Sequence, residues 1–269
     1  MLHRDSVGGT FLVAAVLCIV CSVAVSATAV FLKPTQDAEI KLDQQKNILA
    51  AADALPKDEE GKFKQVSAAE VTELYKQVET IVIDLDTGER VDDRKEDPIT
   101  LENLEKKQKM EEIPTDAPPA EKLGEIKERE EYSQVYILKK DGKISAIVLP
   151  FYGKGLWSTM KGYLALEGDA KTIKGLTYYS HGETPGLGGE VDNQLWKAQW
   201  PGTTAVDDDG TVLVHVTKAG QTAGIDTNID GLSGATITTK GVDTMVRYWL
   251  GPGGFGPFLA KVRKGDFNG

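Results

Sequence analysis

Two glycine-rich loops carry the residues best suited to chemistry. The first is Ser180-His181-Gly182-Glu183-Thr184-Pro185-Gly186-Leu187-Gly188-Gly189-Glu190, and the second is Asp230-Gly231-Leu232-Ser233-Gly234-Ala235-Thr236-Ile237-Thr238-Thr239. Glycine lets a backbone approach a ligand closely. The second loop opens a helical stripe formed by Ile237, Val242, Met245, Val246 and Trp249. A helix start offers free N–H groups and a partial positive charge, both suited to a phosphate. Ser233 and Thr236 are residue types that cap such a start. Gly234 and Ala235 keep the approach uncrowded, and Thr238 stands in the first turn with a hydroxyl expected to be exposed. The plain alternative is a capped helix that binds nothing.

Other chemistries have little support. Neither loop is a P-loop, because no Gly-Lys-Ser/Thr follows at the needed spacing. No Gly-x-Ser-x-Gly elbow is present to suggest a serine hydrolase. Only 3 His and 2 Cys occur in 269 residues, too few for a multi-histidine or four-thiolate metal centre, so no metal ligand is assigned. The net charge of -10 and a pI near 4.9 argue against a nucleic-acid partner.

The loops need elements to hold them. Segments 134–138 and 144–149 flank Lys140-Asp141-Gly142 and read as a hairpin. Segments 163–167 and 172–179 flank a turn containing Gly168-Asp169, and 212–216 alternates like a further strand. A short helix is expected over 193–200. The helix after Thr236 should stop at Gly251-Pro252. Antiparallel strands with a few helices define an α+β fold of mixed, mainly antiparallel type.

The rest of the chain has a different composition. Residues 6–32 contain no charge and are long enough to cross a bilayer as one helix. Lys33-Pro34 is expected to end that transmembrane anchor. A cleaved signal peptide is the rival reading, but its apolar region would be shorter. Cys18 and Cys21 share one face of this helix and read as packing residues. Segment 35–54 reads as a separate helix. Segment 67–78 reads as another, with Ser67 and Glu70 forming a capping box. Segment 80–85 reads as a strand with the turn Asp86-Thr87-Gly88 after it. Residues 84–131 hold 17 acidic and 9 basic side chains, so much of the chain's acidity sits in one excursion, punctuated by Pro98, Pro114, Pro118 and Pro119. The expected organisation is an anchor over 1–33, an acidic, partly helical connection over 34–131, a binding domain over 132–258 and a tail over 259–269.

The loop residues resemble a known family. Ser233-Gly234-Ala235-Thr236-Ile237-Thr238 looks like the FMN-attachment sequence Ser/Thr-Gly-Ala-Ser/Thr-x-Thr of flavin-binding domains in respiratory membrane complexes. Gly155-Leu156-Trp157-Ser158-Thr159-Met160 and His181-Gly182-Glu183-Thr184-Pro185-Gly186-Leu187-Gly188 look like the C subunit of the sodium-translocating NADH:quinone reductase. The resemblance covers the anchor and about 135–258.

That resemblance implies FMN joined by a phosphoester to Thr238, made by a flavin transferase with FAD as donor. Ser233, Gly234, Ala235 and Thr236 would form the attachment loop. Trp157, Leu187 and Leu176 are candidates for an apolar wall against the ring. Glu183 and Thr184 would orient the ring or ribityl chain, and His181 is either a ring contact or a structural histidine. The implied work is electron transfer: single electrons pass between redox centres of neighbouring subunits, and no acid–base pair is required. The implied partners are the other membrane and NADH-oxidising subunits. The implied location is the bacterial inner membrane, single-pass, with the N-terminus cytoplasmic and the FMN domain periplasmic. The alternatives are the matching FMN subunit of the ferredoxin:NAD electron transport complex, a membrane-anchored flavin sensor or carrier, and a scaffold without cofactor.

Overall fold

The computed structural model describes residues 7–59, 61–113, 126–221 and 226–267. Pro114, Pro118 and Pro119 and the flank Arg4-Asp5-Ser6 lie outside the described residues. The chain divides into a unit ending at Gln44 and a compact unit from Gln45 onward.

The first unit is helical. Helix α1 runs unbroken over Val7–Ala51, so the stop expected at Lys33-Pro34 and the separate helix over 35–54 are corrected to one element with Pro34 inside it. A proline inside a helix removes one hydrogen bond and costs about 3 kcal/mol. Beyond Pro34 the helix continues to residues buried in the second unit, Ile48, Leu49 and Ala51. The stretch before Pro34 is long and apolar enough to cross a membrane.

The second unit is built on a five-stranded antiparallel sheet. Its strands are β1 (Val78–Asp84), β4 (Tyr132–Lys140), β5 (Lys143–Lys154), β6 (Thr159–Glu167) and β7 (Ile173–Ser180), in the order β1-β4-β5-β6-β7. A two-residue period sends alternate side chains to opposite faces. Ile147, Leu149 and Phe151 therefore join one core with Ile81, Val135, Leu164 and Leu176. Ala146 and Val148 join the other with Tyr136, Tyr163 and Ala165. The hairpin turn between β4 and β5 has Asp141 and Gly142 at φ of 53° and 75°, the positive-φ pair that such a tight turn demands.

Helices cover both faces. On the first lie α5 (Thr236–Leu250) and α6 (Gly256–Lys264), which bury Met245, Trp249 and Phe258. The α6 burial draws part of the expected 259–269 tail, Leu259 and Val262, into the core. On the second lies the end of α1, with Ile48, Ala51 and Ala52 in contact with the sheet residues. Between α1 and β1, helix α2 (Ala68–Tyr75) has the expected capping box of Ser67 and Glu70.

The acidic excursion contains α3 (Leu104–Lys107) and a two-stranded pair, β2 (Met110–Glu112) with β3 (Glu128–Glu130). Two expected elements shrink. The helix over 193–200 is the single turn α4 (Gln194–Lys197). The strand over 212–216 is only β8 (His215–Val216), parallel to β9 (Asn228–Ile229). Val212 instead forms an isolated antiparallel bridge to Val206.

Candidate functional site

Three elements converge on the carboxylate of Glu183. The β5–β6 hairpin presents its tip, residues 155–158, closed by Gly155 N–H donating to the Ser158 carbonyl at 2.9 Å. The loop after β7 carries Glu183 itself, and Gly182 N–H donates to Ser158 Oγ at 2.7 Å, tying loop to tip. The first turn of α5 supplies Thr238.

Glu183 is 5% exposed and fully partnered. Its Oε1 accepts from the N–H of Trp157 at 2.9 Å and of Ser158 at 3.3 Å. Its Oε2 accepts from the N–H of Leu156 at 3.2 Å and from Thr238 Oγ1 at 2.6 Å. Burial by itself would raise the pKa of this carboxyl. The Thr238 hydroxyl and the amides of Trp157, Leu156 and Ser158 together outweigh burial and hold it below its ordinary value. Glu183 is therefore an anion at neutral pH.

The packing around this contact requires glycine. A Cβ on Gly188 would lie 2.5 Å from Thr238 Oγ1 and 2.7 Å from Glu183 Oε2. A Cβ on Gly155 would lie 2.5 Å from Glu183 Oε1.

Thr238 is only 1% exposed, so the exposed hydroxyl expected from the sequence is corrected. The reason is the Glu183 loop, which folds over the first turn of α5. The helix cap is corrected as well: the N-cap position is Ala235, with no side-chain cap bond, and neither Ser233 nor Thr236 fills that role. Ser233, Gly234 and Thr236 are exposed, and Ala235 is buried. Thr239 is structural, its Oγ1 accepting from the Leu232 N–H at 3.0 Å. Trp196 Nε1 also donates to the Asp230 carbonyl at 2.8 Å, so the second glycine-rich loop is pinned from two sides.

The remaining expected residues divide. Trp157 is 68% exposed and Leu187 45% exposed, so neither is a core residue. Thr184 is exposed, and its carbonyl accepts from Leu187 and Gly189 within the loop. Leu176 sits in β7 opposite Leu164, inside the core. His181 Nδ1 accepts from the Glu183 N–H at 3.3 Å, which places the proton on Nε2 facing Asp192 Oδ2 at 2.8 Å. His181 thus sets the loop's path.

Sequence reasoning missed three participants: Ser158 as the clasp, and Leu156 and Ile237 as exposed apolar neighbours, at 42% and 60% exposure. Their signal was apolar residues at a hairpin tip and in a first helical turn, where solvent contact is the rule.

These features fit a flavin mononucleotide. The α5 start has no side-chain cap, leaving first-turn amides available to a phosphate. The exposed Trp157, Leu156, Leu187 and Ile237 offer apolar surface to a planar ring.

Fold and site define an FMN-binding domain, and the model of the FMN-binding domain family matches residues 155–251. Relatives extend this to the whole chain. The C subunit of the Na(+)-translocating NADH-quinone reductase of Pseudomonas aeruginosa is 44% identical over 99% of this chain and 100% of its own. The corresponding Yersinia pestis protein is 40% identical over 98% of this chain and 96% of its own. The crystal structure of Shewanella oneidensis NqrC superposes with a TM-score of 0.65 at 33% identity, covering 82% of this chain and 96% of that one. The chain belongs to the NqrC family, the C subunits of Na(+)-translocating NADH-quinone reductases.

Proposed function

We propose that this chain is the electron-transfer C subunit of a sodium-translocating NADH:quinone reductase and carries FMN through a phosphoester on Thr238. The observation that carries the reading is the Thr238 hydroxyl held at 2.6 Å from Glu183 in the uncapped first turn of α5. It lies next to the hairpin tip that exposes Trp157. Bound FMN would supply single-electron redox chemistry that no side chain here offers. The chain's own residues bind and orient. Ser233, Gly234, Ala235 and Thr236 lead the backbone into the phosphate position. Trp157, Leu156, Leu187 and Ile237 cover the ring. Glu183 and His181 fix the loop and Thr184 closes its turn, while Leu176, expected at the ring, is instead a core residue of β7. The partners are the membrane and NADH-oxidising subunits of the same complex, and a flavin transferase for maturation. The chain sits in the bacterial inner membrane through α1, with its N-terminus cytoplasmic and the FMN domain periplasmic. The ferredoxin:NAD complex and the lone sensor or carrier are less favoured, because the relatives matching nearly the whole chain are NqrC proteins. Loss of bound flavin from a denatured sample would favour a non-covalent carrier, and absence of flavin from the native sample a scaffold.

Attachment breaks the phosphoanhydride of FAD, forms the bond from phosphorus to Thr238 Oγ1 and releases AMP and a proton. The expected result is a fluorescent band in a denaturing gel when chain and transferase are made together. The tryptic peptide holding Thr238 should gain the mass of FMN less one water. Thr238→Ala should abolish both signals, whereas Thr239→Ala should keep the flavin while losing about 1–3 kcal/mol of stability. An unmodified Thr238 peptide from the native complex would sink the reading.

A further inference from the structure

We infer that Glu183 is the general base for flavin attachment, supplied by the acceptor protein itself. This rests on the proposed phosphoester at Thr238. Oε2 is 2.6 Å from the oxygen that would attack phosphorus. Hydrogen-bond reach to the proton being removed is the first requirement of a base. In phosphoryl transfer, a carboxylate that accepts the proton of the attacking hydroxyl is an established arrangement.

The geometry leaves Glu183 one transferable proton to receive. Its other contacts are backbone N–H groups of Leu156, Trp157 and Ser158, which do not ionise. Those amides fix the carboxylate in place, and His181 fixes its backbone through the Glu183 N–H. Position and charge are thus set before any donor arrives. The lowered pKa keeps the group ionised and makes it a weak base, so what it brings to the step is its fixed position beside Thr238 Oγ1. Because both oxygens accept, two donors each, the group must be an ionised carboxylate, and its one contact with an ionisable donor is the Thr238 hydroxyl.

In the attachment step, Thr238 Oγ1 attacks the FMN phosphorus of FAD, and the phosphoanhydride bond breaks with its electron pair leaving on AMP. The Thr238 proton crosses to Glu183 Oε2 and passes on to solvent. Because Thr238 is 1% exposed, the Leu187–Gly188 cover must move aside to admit FAD.

The test uses the full-length chain in detergent with its flavin transferase and FAD. The rate is read as appearance of the modified Thr238 peptide by mass, normalised to FAD hydrolysis by the same transferase. Glu183→Gln, checked for a native melting curve, should slow attachment by on the order of 10²-fold. Glu183→Asp should recover part of the rate. The wild-type advantage over Glu183→Gln should shrink as pH falls through the Glu183 pKa, which lies below the ordinary glutamate value. If Glu183→Gln does not fold, the wild-type rate alone decides: it should show an acid limb matching the Glu183 carboxyl titration followed by carbon-13 NMR. Attachment to folded Glu183→Gln at the wild-type rate, a pH-independent ratio, or no limb at that titration overturns the inference. Absence of any mass gain on wild-type Thr238 overturns the phosphoester reading instead.

Discussion

At the residue scale, one carboxylate organises the site. Four donors converge on Glu183 from the hairpin tip and from α5. Gly188 is the residue with least freedom beside it, because any side chain there would meet both Thr238 Oγ1 and Glu183 Oε2. Gly188→Ala puts a methyl group 2.5 Å from the hydroxyl oxygen, so the loop must shift. Overpacking of this kind costs about 1–3 kcal/mol. The variant should melt at lower temperature and take up less flavin than wild type in the same expression; an unchanged melting curve with full flavin would show that the loop relaxes freely. The sequence made the residue types of this site legible, since Glu183, Gly188 and Thr238 all lie in the two loops it singled out. It could not show that Glu183 turns inward. Its partner Thr238 is 55 positions away, beyond the range of any local pattern. The same blindness explains the hydroxyl expected in solvent and found beneath the loop.

At the element scale, the strands were readable because each alternates between two buried faces bounded by turn residues. The hairpin around Asp141-Gly142 and the α5 stop at Gly251 follow from that local chemistry. Helix α1 was misjudged at Pro34 because proline was weighed alone, without the packing of the turns beyond it. The last turns of α1 close one face of the sheet, through Ile48, Ala51 and Ala52 against Tyr136, Val148 and Tyr163. Ile48 is 0% exposed and Ile40 is 66% exposed on the same helix, which makes an internal control. Ile48→Ala should cost about 2–5 kcal/mol from lost burial and the cavity left behind. Ile40→Ala should stay within about 0.5 kcal/mol. Chemical denaturation of the two variants in detergent checks this; equal losses would mean that α1 does not cover the sheet as described.

At the scale of the whole molecule, averages mislead. The net charge of -10 suggests an acidic soluble protein, yet the apolar run and the acidic excursion occupy separate stretches. The excursion's charges are partly paired, within it and to β1: Arg90 meets Asp92 at 2.9 Å and Glu79 of β1 at 2.8 Å, and Arg129 meets Asp86 and Glu111. The Arg90 and Arg129 side chains are 32% and 11% exposed, so these pairs are partly buried and hold the excursion together with β2–β3 pairing and its few buried side chains. The proposed orientation follows from the flanks of the apolar run. Arg4 and the α-amino group precede it, and beyond Lys33 come Asp37 and Glu39. Positive charge is favoured on the cytoplasmic side, and the proposed orientation therefore puts the FMN domain outside. A covalent tether suits that side, because a flavin lost outside the cytoplasm is not replenished there. A periplasm-dependent phosphatase fused after Gly269 should be active, and a cytoplasm-dependent fluorescent reporter at the same place should be dark. Replacing Arg4 with Glu should weaken this bias and yield a mixed population. A dark phosphatase with a bright fluorescent reporter would reverse the orientation and, with it, the reason offered for a covalent flavin.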